Sequence, residues 1–288
     1  MVSSQLEMFH SFCTQNQPKT MQEAFESFAV FGGMGVKIDT SKPLLYSIKK
    51  HILDEYHFIH GNIIEKTRGD SVYHSVLTGL AIGDAQAHTA LKRAKLSADD
   101  GKHVINQLCR FGLLEREVSR KISHSWVEEN AVSDKLHFIS PFMRFWFGFV
   151  SPLFKGIAEG DYEEFEKRFE NRKQEFMEQA FVLLSQDFVK ENFTDDPIVE
   201  MGSYWDKNIE IDIFAKTTSG KIIVGSCKYT NSKIKKNLLN KLKEDVLHVK
   251  MDADIFILIS KQGFSNEVKL LKSESLKLFT LRNFRTSL

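Results

Sequence analysis

The spacing of the apolar residues changes once along this chain, and that change limits the folds open to it. Up to about Phe188 the apolar side chains recur at helical spacing. Beyond it, Ile198-Val199-Glu200-Met201, Ile209 to Ala215, Lys221 to Tyr229, Asp254 to Ile259 and Leu276 to Leu281 read as strands, with helical patterns at Lys235 to Val249 and Asn266 to Lys272. A helix from Lys173 to Phe188 precedes them. Helix, three strands, helix, strand predicts an α/β (α+β) core with a mixed sheet whose faces are covered by helices. A chain of 288 residues with 42% hydrophobic and 27% charged side chains is sized for about two domains, which excludes a disordered tail or a disulfide scaffold as the whole molecule.

The first part of the chain is helical. Leu44, Leu45, Ile48, Ile52, Leu53 and Tyr56 share one helix face between Pro43 and Gly61, with Ser41 as cap and Gly61 as stop. Two more helical patterns follow at Tyr73 to Ile82 and Ala85 to Leu96, and Ser97, Asp99 and Asp100 cap a fourth that runs to Phe111. Gly112 ends it, Leu113 to Val118 alternates like a strand, and a second strand is expected at Lys135 to Ile139 after a polar loop. Three short helices closing on two strands is the order of a winged helix-turn-helix, with the fourth segment as recognition helix. On that helix Val104, Ile105, Leu108 and Phe111 point inward, while His103, Asn106, Gln107 and Arg110 share the opposite face and offer donors to bases or phosphates. A solvated polar face on a helix that merely packs gives the same pattern.

Phe142, Phe145, Trp146, Phe147, Phe149 and Phe154 crowd one stretch. It reads as a core helix buried between the two halves rather than as a stacking platform for bases. Phe165 to Lys173, dense in charge, reads as an exposed connector. The expected organisation is therefore a helical and winged-helix domain over 1–140, a linking helix and connector over 141–172, and a mixed-sheet domain over 173–288.

Chemistry is concentrated in the last of these. A spacing of two places Glu210 and Asp212 on one face of their strand, opposite Ile209, Ile211 and Ile213. On the next strand Ser226 and Lys228 share a face, and Glu178 sits at the edge of the apolar face of the preceding helix. Carboxylates that hold a divalent cation, beside a lysine that orients water or neutralises developing charge, are the minimal apparatus of phosphodiester hydrolysis. A structural ion pair between Asp212 and Lys228, or a solvated acidic face, fits the same residues.

Glu178, Asp212 in the run Glu210-Ile211-Asp212, and Ser226-Cys227-Lys228 together resemble the PD-(D/E)XK nuclease core. More of the chain, from about Phe25 to the C-terminus, resembles the C-terminal region of a family of archaeal-type AAA ATPases also found in bacteria. The matching segments are the FAVFGG run Phe28 to Gly33, the winged-helix segment, the aromatic helix Phe142 to Phe147, the GSYWDKNIEID stretch Gly202 to Asp212, and the strand that carries a GECK-like motif. The resemblance implies a restriction-endonuclease-like domain that binds DNA, with Asp212, Glu178 and Glu210 as ligands to Mg2+ if it is catalytic, and Lys228 as the catalytic lysine. Two departures accompany it. No GxxxxGK[ST] loop is present, so ATP hydrolysis of that kind is not expected and an ATPase partner encoded separately is an alternative. Ser226 also stands where the family has an acid, which weakens the metal site and opens the reading of a non-catalytic regulatory or protein-interaction module.

The formal net charge of +1 conceals a segregation. Residues 201–288 carry 16 basic and 9 acidic side chains, residues 134–200 carry 8 and 14, and residues 1–133 carry 15 of each. Lys228, Lys233, Lys235, Lys236, Lys241 and Lys243 belong to the basic segment and predict a surface that tracks phosphates, although a solvated lysine-rich helix explains the same run. Cys13, Cys109 and Cys227 form no metal or disulfide spacing, and the ten histidines form no ligand motif. No apolar run is long enough to span a bilayer and no leader is readable, so a cytoplasmic location is expected, with no membrane partner.

Overall fold

A computed structural model of the chain describes residues 4–120 and 133–285. It is a mixed α/β protein of two compact units, one formed by Met8–Val118 and Ser133–Phe176, the other by residues 4–7, 119–120 and 177–285.

The first unit opens with two helices that the periodicity reading passes over, α1 (Gln5–Asn16) and α2 (Met21–Phe31). Thr20 caps α2, its hydroxyl accepting from Glu23 N at 3.1 Å while Glu23 Oε2 accepts from Thr20 N at 3.1 Å. The single helix expected from Pro43 to Gly61 is divided into α3 (Leu44–Ile48), a π-helical turn Lys49–Leu53, and α4 (Tyr56–Thr67). Gly61 stops nothing and lies exposed in mid-helix. Tyr56, Ile59, Ile63 and Thr67 bury the other side of α4, which offsets the roughly 1 kcal/mol a glycine costs there. The helix ends where Arg68 and Gly69 take φ of 57° and 62°. Ser41 does not cap α3; its hydroxyl donates to Asp39 Oδ1 at 2.6 Å.

α5 (Ser71–Ala81) is capped by Asp70, which accepts from Val72 N and Tyr73 N, and α6 (Ala87–Arg93) follows. α7 (Ala98–Arg110) starts at Ser97, buries Val104, Ile105 and Leu108, and leads through Gly112 (φ 68°) into β1 (Leu114–Glu117). β1 pairs antiparallel with β2 (Lys135–Phe138), Leu114 opposite Phe138, and a single bridge joins Gln86 to Lys135. The polar loop expected between the strands falls mainly on residues 121–132, outside the described residues.

The aromatic stretch is core. α8 (Pro141–Phe145) and the π-helical turn Trp146–Val150 bury Phe142, Phe145, Trp146, Phe147 and Phe149, and only Phe154, at the start of α9 (Phe154–Ala158), is exposed. Arg144 is buried among them. Its Nε donates to Ala81 O at 3.1 Å, its Nη1 to Phe176 O at 3.0 Å, and the guanidinium lies 4.3 Å from the centre of the Phe176 ring. Burial pulls its pKa down to about 9, so the group is still protonated at neutral pH.

No exposed connector follows. Glu163–Asn192 is one helix of 30 residues, α10, and Phe165 and Phe169 are buried in the segment whose charges suggest a linker. Those two rings, with Phe176, occupy i, i+4 and i+11, a helical stripe hidden by the charged residues around it.

The second unit contains the end of α10 and a five-stranded sheet in the order β3 (Ile198–Trp205), β4 (Glu210–Thr217), β5 (Ile222–Lys228), β6 (Ile255–Ser260), β7 (Leu276–Thr280). β3, β4 and β5 form an antiparallel meander. α11 (Lys236–His248) then crosses over so that β6 runs parallel to β5, and β7 follows α12 (Asn266–Leu270), parallel to β6. Asp206 closes the β3–β4 turn, its Oδ1 accepting from Asn208 N and Ile209 N at 2.7 and 2.8 Å. Leu239, Leu242 and Val246 of α11 pack on Ile211, Phe214, Val224 and Leu258. On α10, the Phe181 ring packs tilted against Tyr229, and Phe188 meets Phe279 and Phe284. Gly225 lets β5 fit between its neighbours, because a Cβ there would lie 2.9 Å from Ile257 O and 3.3 Å from Ile213 Cβ. The outer edge of β3 is occupied: Ser119 Oγ donates to Trp205 O (2.6 Å) and accepts from Trp205 N (2.9 Å), while Arg120 N and Nη2 donate to Ser203 O and Met201 O.

Candidate functional site

A cleft of about 290 Å3 opens between α11 and the sheet, lined by Glu210, Asp212, Ser226, Lys228, Lys241 and Asp245 together with Ile211, Leu238 and Leu242. Strand register explains the first four. β4 and β5 pair with Ile213 opposite Gly225, and continuing that register sets Asp212 beside Ser226 and Glu210 beside Lys228. Ser226 Oγ donates to Asp212 Oδ2 at 3.0 Å, and Cys227 N donates to the same oxygen at 2.8 Å.

Strict alternation does not produce this face. Between the pairs Gly202–Phe214 and Tyr204–Ile211 the β3–β4 register shifts by one, so that Asp212 and Ile213 together oppose Ser203. This is a β-bulge centred on the acid, and it turns Ile211 to the α11 side, with Phe214 and Val224. A bulge takes backbone groups out of the ladder. Gln186 of α10 compensates, its Nε2 donating to Asp212 O at 2.8 Å and to Ser203 Oγ at 3.1 Å.

The electrostatics follow from burial. Desolvation pushes the Asp212 carboxyl above the usual carboxylate range. Lys228, the Cys227 N–H and the Ser226 hydroxyl pull it back, and Glu210 adds to the rise. Lys228 Nζ makes neither a hydrogen bond nor an ion pair with a described residue, so Asp212 and Lys228 are not a salt bridge. Cys227 points to the other face and is buried, and burial raises its thiol well above the ordinary value, as befits a small core residue rather than a nucleophile.

An acid whose folded pKa is raised destabilises the fold at high pH. The cost is absent below the unfolded value, grows as pH rises towards the folded value, and is complete above it. Asp212→Asn should therefore raise stability at pH 7 by about 0.5–2 kcal/mol, the usual gain from relaxing a functional position, and the gain should shrink towards pH 4. Urea midpoints of the two proteins across pH test this; an equal or lower midpoint at pH 7 contradicts the burial argument.

The expected site is assembled in part. Glu210, Asp212, Ser226 and Lys228 meet in the cleft; Glu178, half-buried on α10, is not among its lining residues. The reason is sidedness. The cleft lies on the α11 side, whereas α10 reaches Tyr229 on the other. Lys233, Lys235 and Lys236 are exposed at and before the start of α11, outside the lining, and Lys236 lies 3.6 Å from Glu267. Asp245 and Gln186 escape the sequence reading. Leu238, Lys241, Leu242 and Asp245 fall at i, i+3, i+4 and i+7, so the spacing that exposes Asp245 was present. On α7, His103, Asn106 and Arg110 are exposed and Gln107 is half-buried, with Arg116 Nη2 donating to Asn106 Oδ1 at 3.2 Å.

Among the described residues no group of three or more His, Cys, Asp or Glu is placed to hold a metal ion. One oxygen of Asp212 is already committed to two donors, and Lys228 and Lys241 bring positive charge to the same cleft. This donor set does not fit a tightly held Mg2+, which needs near-octahedral oxygen ligation. Among the described residues no helix is long and apolar enough to cross a membrane.

Residues 146–241 match a family model, DUF234, described as archaea bacterial proteins of unknown function. The match runs from the aromatic turn into α11 and takes in β4 and β5, the strands of the cleft. No curated protein and no solved structure matches the chain.

Proposed function

We propose that this protein binds DNA, through a winged helix-turn-helix made by α5, α6, α7, β1 and β2, and through a restriction-endonuclease-like domain of the PD-(D/E)XK type whose metal site is degenerate. The observation that carries the reading is the cleft itself: Asp212 and Lys228 on adjacent strands, with an amine left unpaired beside a carboxyl in a bulge. Supporting it are the order helix, three-stranded meander, crossover helix and parallel strand, and the bridge from Gln86 that adds a third segment to the β1–β2 pair. Lys228 and Lys241 are the groups offered to a phosphodiester, His103, Asn106, Gln107 and Arg110 those offered to a duplex groove. Glu210 and Asp212 give Mg2+ a weak foothold, and the Ser226 hydroxyl, which donates to Asp212, supplies none of the missing charge.

Binding of a short duplex, followed by fluorescence anisotropy at several salt concentrations, is expected to weaken steeply with salt. Lys228→Ala and Lys241→Ala should each lower the slope of log K against log salt by about 1, and Arg110→Ala should reduce affinity independently of them. Cleavage with Mg2+ or Mn2+ should be weak or absent, and abolished by Asp212→Ala. Absence of DNA binding at low salt would overturn the reading and leave a protein partner, such as a separately encoded ATPase. Slopes unchanged by either lysine would remove the cleft from it.

A further inference from the structure

A second cavity, of about 450 Å3, lies wholly within the helical unit and belongs to none of the sites above. One wall is a face of α5 on which Ser71, His74, Ser75 and Thr78 recur at helical spacing. The others carry Arg93 of α6 and Arg168 and Arg172, one turn apart on α10. No carboxylate lines it.

Each arginine is held by one part of its guanidinium and keeps the rest uncommitted. Arg93 Nη1 donates to Gly79 O at 2.9 Å, Arg168 Nε to Gly148 O at 2.9 Å, and Arg172 Nε to Glu175 Oε2 at 2.7 Å. Both Nη groups of Arg168 and Arg172 make no bond to a described residue, nor do the hydroxyls of Ser75 and Thr78. Burial and the neighbouring charge of Arg172 both lower the Arg168 pKa, while Glu164 opposes them. His74 is oriented too: Thr67 Oγ1 donates to Ile63 O (2.8 Å), so His74 Nε2, 2.6 Å away, is the donor to Thr67. Three guanidinium groups line one space, Arg172 ion-paired with Glu175, and an anion there relieves the repulsion between Arg168 and Arg172 and takes their free Nη donors.

We infer that this cavity binds the phosphate group of a small phosphorylated molecule. A phosphodiester strand spreads one charge per residue along its length, whereas a terminal phosphate carries nearly two charges in one place, which matches a cluster of three arginines better. The volume lies within the range of roughly 300–1,000 Å3 in which small ligands bind, so more than a bare ion is accommodated. The inference does not depend on the cleft in the other unit.

Calorimetric titration of the full chain with inorganic phosphate, pyrophosphate and adenosine 5′-monophosphate separates a bare phosphate from one borne on a nucleoside. Saturable binding of at least one is expected, weakened tenfold or more by Arg168→Gln and by Arg172→Gln. Arg168 also anchors Gly148 O, so thermal melts of each variant accompany the titrations, and Thr78→Val, which removes only a hydroxyl, should weaken binding severalfold with the melt unchanged. Binding of none of the three, or equal binding by wild type, Arg172→Gln and Thr78→Val, overturns the inference.

Discussion

Arg144→Ala is expected to destabilise the helical unit by about 3–5 kcal/mol, the largest single-residue loss in the protein. The guanidinium satisfies two buried carbonyls, Ala81 O and Phe176 O, and stranding each costs roughly 1–3 kcal/mol. Loss of the Phe176 stack and the space left among Phe145, Trp146 and Phe149 adds to this, while removing a desolvated charge offsets part of it. Arg144→Met, which refills most of the volume and restores no donor, separates packing from hydrogen bonding and should recover only the packing share. Urea unfolding monitored by tryptophan fluorescence reads both. A loss below about 1 kcal/mol for the alanine variant would show that water replaces the guanidinium at those carbonyls.

The second large effect is a gain. Ser226→Glu should create a divalent cation site, because position 226 lies beside Asp212 in the cleft and the resemblance to the GECK-like strand puts an acid there. Without metal, a new carboxylate next to one that burial already disfavours should lower stability. With Mg2+ or Mn2+ a hundredfold above its Kd, the same variant should recover about 2.7 kcal/mol, read as a metal-dependent rise in Tm absent from wild type and from Ser226→Gln. If Ser226→Glu responds to metal no more than Ser226→Gln does, the nuclease-like reading of the cleft fails whatever the DNA-binding result.

Local signals made part of this fold legible. Ser97 and the stripe Val104, Ile105, Leu108 define α7, and the change to alternating residues after Phe188 marks the sheet; both rest on spacing that holds whatever the tertiary context. Two signals were present but masked. The Thr20–Glu23 capping box announces α2, and Phe165, Phe169 and Phe176 run through the charged start of α10. The centre of the cleft was not legible in the same way. The bulge at Asp212 depends on how β3 pairs, and no residue of β4 alone specifies a shift of register, so alternation misassigns Ile211. Glu178 illustrates the converse: spacing gives a residue its face on a helix but not the face of the sheet that the helix covers.

The segment hydrogen-bonded along β3 has a consequence for how the protein behaves in concentrated solution. An open strand edge is a template on which a second chain can add its own strand, the first step of sheet-mediated aggregation. Ser119 and Arg120 occupy the carbonyls of Met201, Ser203 and Trp205 and the amide of Trp205, so that end of the sheet offers little to an incoming strand. The opposite end is β7, only five residues long and carrying Lys277. Charge and brevity protect one border and the Ser119 and Arg120 contacts protect the other, so substitutions at Ser119 should appear first as a loss of solubility.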